Sequence, residues 1–139
     1  MSAKMIEQGD RWSLSSDDAN VTRISLDWGV TLTIGSTEPQ IDVRIEQPFE
    51  LTDSSGTSVQ LVPEGDPLAM SPVLSISRRT VERMDAFNDG RLEIAIADGM
   101  IVRVESSEIY EAWEISGSGG FRIVSTPGGG LAVWKAMSS

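Results

Sequence analysis

The sequence predicts an all-β domain: an antiparallel meander forming a barrel or a sandwich, with at most one short helix. Three observations carry that expectation. Apolar and polar residues alternate in short segments, the signature of strands with one buried face. Glycine-bearing turns separate the segments. Where two neighbouring segments are aligned as a hairpin, one register sets apolar residues opposite apolar ones and charges opposite their counter-charges. A sheet of so many strands must hide one face and its edges, so it is expected to curl or double over.

The elements follow in chain order. The first ten residues show no such pattern and are expected to be flexible. In Thr22 to Ile34, a loop Asp27-Trp28-Gly29 sets Leu26 opposite Val30 and Ile24 opposite Leu32, with Ser25 facing Thr31 and Arg23 facing Thr33. Ile41, Val43 and Ile45 then alternate with Asp42, Arg44 and Glu46. Phe49 and Leu51 align with Leu61 and Val59 across the turn Asp53 to Gly56. The stretch 63–72 holds three prolines and is expected to be the main loop of a single domain spanning 1–139, since neither side of it has a core of its own.

Thr80 to Asn88 reads two ways. Val81, Met84 and Phe87 recur at helical spacing. A strand through the same residues would pair Met84 with Ile94 and Ala86 with Leu92 across an Asn-Asp-Gly turn, and the strand is favoured because both neighbours are strands. For Arg91 to Glu105 the register can be decided by trial. A two-residue loop at Asp98-Gly99 mixes the faces. A three-residue loop, Ala97-Asp98-Gly99, pairs Ile96 with Met100, Ile94 with Val102 and Leu92 with Val104, and sets Glu93 against Arg103 and Arg91 against Glu105. Gly99 then takes the left-handed position that the loop needs. The last strands are Ala112 to Ser116, Phe121 to Ser125 and Leu131 to Lys135, joined by the glycine-rich turns 117–120 and 127–130.

Composition bounds the chemistry. The chain has 139 residues, 40% apolar and 23% charged, which suits one globular domain. It has no histidine and no cysteine. Ser-His-Asp and Cys-His catalysis, zinc sites built on Cys or His, Fe–S clusters and disulfides are therefore excluded. No cofactor is expected. The net charge is -10, and residues 1–70 carry 12 acids against 4 bases. Such a surface repels phosphate backbones, so nucleic acid is not an expected partner, and a basic protein is. The amino-terminal segment lacks the apolar core of a signal peptide, and no apolar run approaches the ~18 residues of a membrane helix. No membrane association is expected, and the expected location is the cytoplasm.

Few motifs carry chemistry. The turn 117–120 matches neither a dinucleotide nor a phosphate loop. Asp17 with Asp18, and Asp53 with Ser54 and Ser55, lack calcium-loop spacing and read as solvated loops. The four tryptophans are more informative. Trp113 and Trp134 lie on strands and are expected to plug the core or the end of a barrel. Trp28 sits at a hairpin tip, where it either folds back or stands out as a binding anchor.

Tyr110-Glu-Ala-Trp113, then Pro127-Gly-Gly-Gly130, then Leu131-Ala-Val-Trp134, resembles the closing signature of an uncharacterised family of small, mainly actinobacterial domains. The likeness covers roughly residues 74–134, and Gly130 stands where that family is expected to carry a polar residue. The resemblance implies strand for 80–87 and no assigned activity, so it transfers no catalytic residue. On a strand, Tyr110 and Ala112 would share one face, and Glu111 and Trp113 the other. Glu111 would then pin a turn, pair an arginine such as Arg122, or line a small polar pocket beside the indole.

The functional expectation is a non-catalytic protein-interaction domain, immunity-like or accessory, binding through Trp28, Tyr110, Glu111 and Trp113. A homodimer through an edge strand or an apolar face is expected. Two alternatives stand beside it: a small-molecule barrel lined by Trp113 and Trp134, and an enzyme working with carboxylates alone.

Overall fold

A computed structural model of the chain describes residues 4–15, 19–35 and 40–135. Asp17 and Asp18 lie outside the described residues. Thirteen strands form: β1 Lys4–Gln8, β2 Arg11–Ser15, β3 Val21–Leu26, β4 Val30–Ile34, β5 Ile41–Ile45, β6 Phe49–Thr52, β7 Ser58–Leu61, β8 Val81–Phe87, β9 Leu92–Ile96, β10 Met100–Val104, β11 Trp113–Gly117, β12 Arg122–Ser125 and β13 Leu131–Trp134. They build a seven-stranded sheet ordered β1-β2-β8-β9-β10-β6-β7 and a six-stranded sheet ordered β13-β12-β11-β5-β4-β3. All the pairings are antiparallel. Neither sheet closes on itself, so the fold is a β-sandwich and the barrel expectation falls.

The registers follow from the side that must be dry. The β9–β10 hairpin pairs Ile96 with Met100, Ile94 with Val102, Leu92 with Val104 and Glu93 with Arg103. Asp98 and Gly99 both adopt left-handed backbone, with φ of 69° and 78°, so the three-residue loop uses one more such residue than the sequence suggested. The β3–β4 hairpin pairs Leu26 with Val30 and Ile24 with Leu32. Residues 81–87 are a strand, with Met84 opposite Ile94 and Ala86 opposite Leu92. The core lies between the sheets and includes Leu32, Ile34, Val43, Ile45, Phe49, Leu92, Ile94, Val102, Trp113 and Ile115, all essentially dry.

Several expectations are corrected. Residues 4–8 are not free chain. They pair as β1 with β2 through the turn at Gly9, because Trp12 and Leu14 of β2 bury on the inner face and leave an edge to be paired. The proline-rich stretch is a loop only to Asp66. From Pro67 to Ile76 it is a 3₁₀ helix. The Asp66 carboxylate caps it by accepting from the Leu68 N–H at 2.9 Å, and Pro67 stands in the first turn, where a missing N–H costs nothing. Met70, Val73 and Ile76 recur every third residue, the period of a 3₁₀ helix, and all three are buried. That stripe joins the core beside β3, and the helix leads into the Arg78–Val21 bond at one end of the sandwich. Residues 110–112 are not strand, so the alternation expected there fails: Ala112 and Trp113 are both buried. Trp134 does not plug the core. It is 50% exposed, opposite Arg122, whose guanidinium lies 5.2 Å from its ring.

At the other end one atom joins the sheets. The carbonyl of Gly90, in the β8–β9 turn of the larger sheet, accepts from the Trp113 indole Nε1 at 2.8 Å and from Ser125 Oγ at 2.9 Å, both in the smaller sheet. The approach is so close that a Cβ on Gly90, already at φ +94°, would lie 2.8 Å from Ser106 Cβ. The Gly128 N–H bonds the Ser107 carbonyl at 2.8 Å and ties the β12–β13 turn to the same point.

Two outcomes are expected. Ser125→Ala should cost about 1 kcal/mol and Trp113→Phe somewhat more, and the double variant should exceed their sum because the buried carbonyl then loses both donors. Additive urea-melt energies would refute the shared-acceptor account. Gly99→Val should destabilise by roughly 1–2 kcal/mol, because a β-branched side chain resists positive φ. An unchanged melting temperature would refute the loop.

Candidate functional site

The row Leu26, Val30, Ile45, Trp113 runs across β3, β4, β5 and β11 and sets four strand ends level. Neighbouring strands lie about 4.8 Å apart, so the β3–β4 tip and the start of β11 are roughly 10 Å from one another. The loops that leave this row, 27–29, 46–48 and 105–112, share one end of the sandwich. The Glu46 N–H bonds the Ala112 carbonyl at 2.9 Å and holds two of them together.

The tip is pinned from within. Asp27 Oδ1 accepts from the Gly29 N–H at 2.7 Å and pairs with the Arg44 guanidinium at 2.8 Å. Arg44 also meets Glu46 at 3.5 Å and Thr31 Oγ1 at 3.3 Å. Gly29 is packed so tightly that a Cβ there would stand 2.8 Å from the Arg44 guanidinium carbon. Trp28, between these two pinned residues, is 79% exposed. Of the two readings its position allowed, the structure shows the outward one.

A second pinned turn lies beside it. Ser107 Oγ accepts from the N–H groups of Ile109 and Tyr110 at 3.2 and 3.4 Å. The buried Gln47 amide donates to the Glu105 carbonyl and, at 3.4 Å, to that of Ser106. These bonds present Ile109, 83% exposed, and the partly exposed Tyr110. Around both turns stand exposed Asp27, Glu46, Glu105, Glu108 and Glu111, and Arg44 is already engaged. The end is therefore apolar at its projections and acidic at its rim.

The four residues singled out from sequence divide. Trp28 and Tyr110 project at this end. Glu111 is exposed, and Arg122 does not pair with it but with Glu114, one turn of pleat further on, at 2.8 Å. Trp113 is buried and spends its indole N–H on Gly90, so it is a pin between the sheets rather than a contact residue. The pairing of Trp113 and Trp134 around one cavity fails for the same reason. The cleft bordered by Leu14, Ile34, Ile41, Val81 and Met84 measures about 50 Å³, far below a ligand pocket of several hundred. Ile109 was missed, since one apolar residue between Glu108 and Tyr110 makes no periodic signal. The serine two residues before it, able to close a turn with its hydroxyl, was the available clue.

The outer face of the larger sheet carries the other charged cluster. Ser13, Asp85, Glu93, Arg103 and Glu50 form one cross-strand row. Asp85 is 1% exposed and is satisfied by Arg83 at 2.6 Å, Arg11 at 3.5 Å and the Ser13 hydroxyl at 2.8 Å. Phe87 lies between the guanidinium groups of Arg11 and Arg91, 4.6 and 4.3 Å from its ring centre. The Asp85 carboxylate is thereby satisfied, whereas the buried Arg91 Nε has no hydrogen-bond partner among the described residues. Among the described residues no three acidic side chains converge as a metal site.

The Gly29 amide, then Arg44, holds the Asp27 carboxyl below its ordinary value of 3.8. Arg11 does the same for Asp10, and the Ser55 hydroxyl for Asp53. A carboxyl depressed on folding stabilises the fold above its unfolded pKa and loses that contribution as pH falls through the folded value. Thermal melts should therefore be flat from neutral pH to about 5 and decline below about 3.8. Asp27→Asn should shrink the decline, and an unaltered acid profile would refute the role of this carboxylate.

Over residues 12–135 the sequence matches a family described as "Family of unknown function (DUF6188)". No curated protein and no solved structure matches the chain.

Proposed function

The chain belongs to that family, and we propose that it is a non-catalytic protein-interaction domain, accessory or immunity-like in role, that grips a basic protein surface with the loop-bearing end of its smaller sheet. The observation that carries this reading is Trp28, a tryptophan held out into solvent on a tip that is itself bonded in place. Large aromatics dominate interface energetics when they enter a pocket on the partner. A tip fixed before binding spares the ordering cost that a floppy loop would incur. Ile109 and Tyr110 add apolar area from a second fixed turn.

Charge supplies the partner's chemistry. Five exposed carboxylates rim the projections, and the whole chain carries -10, so a partner with a basic rim around an apolar pocket is favoured in both encounter and orientation. The network around Asp85 supports the non-catalytic half of the reading, because this buried carboxylate is already engaged by two arginines and a hydroxyl.

A photo-crosslinking residue placed at position 28 in the source cell should trap a partner with a basic surface that the same residue at position 134 does not trap. With the purified partner, Trp28→Ala should weaken binding by about thirtyfold, with the melting temperature unchanged. Added salt should weaken it further. Identical products at 28 and 134, or undiminished binding by Trp28→Ala, would overturn the proposal.

A further inference from the structure

Four strands lie at sheet edges, and β3, with six residues, is longer than β1, β7 and β13, with five, four and four. Its first residue is not free. Val21 donates its N–H to the Arg79 carbonyl at 2.9 Å and accepts from the Arg78 N–H at 2.8 Å, and Asn20 bridges Thr80. Among the described residues the unpaired edge therefore runs from beyond Val21 to the pinned tip. Arg23 and Asp27 bound it, and Ser25 is its midpoint.

Two features of this stretch point outward. On the face turned toward the core, Ile24 is only half buried and Leu26 is 43% exposed, although their cross-strand partners Leu32 and Val30 are dry. Among the described residues the apolar side of β3 is therefore only partly covered, although the 3₁₀ helix touches the strand. The charges are also divided. Arg23 and Arg78, both exposed and both at the start of the free edge, have no carboxylate partner among the described residues, whereas Asp27 closes its far end. Gly29 and Arg44 both use Oδ1 of Asp27, which leaves Oδ2 for a further cation.

We propose that a second copy of this chain adds its β3 antiparallel to this edge, about a two-fold axis at Ser25. Arg23 then stands opposite Asp27 of the second copy and Ile24 opposite Leu26, each pair occurring twice because the contact is isologous, while Ser25 stands opposite itself once, on the axis. The register is selected by the pattern. A slip of one residue sets Ile24 against Ser25 and mixes the faces. A slip of two keeps the faces and loses both charge pairs. Opposite charges and apolar pairs directly across antiparallel strands are the ones that stabilise a ladder. Trp28 lies one position past the paired residues, so the loop-bearing end stays free, and the dimer presents it twice.

Sedimentation equilibrium of the full chain should show a monomer–dimer equilibrium that Arg23→Asp and Asp27→Arg each weaken about tenfold. An equimolar mixture of the two variants should associate again, because each supplies the charge the other lacks. Since Asp27 also holds its own tip, a second arm avoids it. The chain has no cysteine, so Ser25→Cys introduces one thiol per chain, placed on the proposed axis. A short bismaleimide should link Ser25→Cys into covalent dimers much faster than Ser54→Cys in the β6–β7 turn. A monomer up to about 100 μM, a range in which weak specific interfaces still associate, would overturn the proposal. So would equal linking of the two thiol variants, or association by each charge variant as strong as the parent's.

Discussion

The carbonyl oxygen of Gly90 is the atom on which the two sheets agree. Sheets in a sandwich are held mainly by apolar side chains, which favour contact but specify position weakly. A buried carbonyl that takes both an indole N–H and a serine hydroxyl is directional, and it is costly if either sheet shifts. Its neighbours share the constraint. Ser106, Gly130 and the Asp89 carbonyl crowd the same point, so glycine is required where these turns meet. Because the pin sits at the end that carries loops 27–29 and 105–112, the same contact that aligns the sheets also fixes where Trp28, Ile109 and Tyr110 project.

Hairpins were legible because period-two alternation and turn chemistry answer the same question. In β9–β10 and β3–β4 only one loop length keeps Ile94 on Val102 and Ile24 on Leu32, and the structure uses that length in both. Long-range order was not legible. No residue pattern states that β5 pairs with β11, that β10 pairs with β6, or that Trp113 reaches back to Gly90. The 3₁₀ helix was missed because prolines at 67 and 72 read as loop. Pro67 in fact stands in a first turn and Met70, Val73 and Ile76 keep a period of three. At the candidate site, the exposure of Trp28 could not be read from its position at a tip, since a tip can fold back. The decisive residues are Asp27, Gly29 and Arg44, and Arg44 comes from a different hairpin.

The acidic composition acts differently in different places. On the outer face of the larger sheet the charges are paired across strands, as in Glu50, Arg103 and Glu93, and the face is electrically quiet. At the loop-bearing end they are not: Arg44 is spent on Asp27 and Glu46, and Glu105, Glu108 and Glu111 form no ion pair among the described residues. Exposed pairs contribute little to stability, so this asymmetry speaks to encounter with a partner more than to folding.

The sandwich is also asymmetric at its flanks. On one flank β13 is tied down: Arg122 lies against Trp134, and Lys135 stands 5.5 Å from the ring of Trp12 in the opposite sheet. The stripe of Met70, Val73 and Ile76 joins the core. On the β3 flank the 3₁₀ helix touches the strand but, among the described residues, leaves Ile24 half buried and Leu26 43% exposed. Native sheets blunt their edges with lysine, proline, bulges or a covering element. The bulge in β3 lies between Val21 and Arg23, at the end where Arg78 and Arg79 already cover the strand. The rest of that edge, with apolar side chains half in water and an arginine and an aspartate at its two ends, is uncapped among the described residues. An edge with half-exposed apolar residues between an arginine and an aspartate has the pattern of one that is covered by another chain.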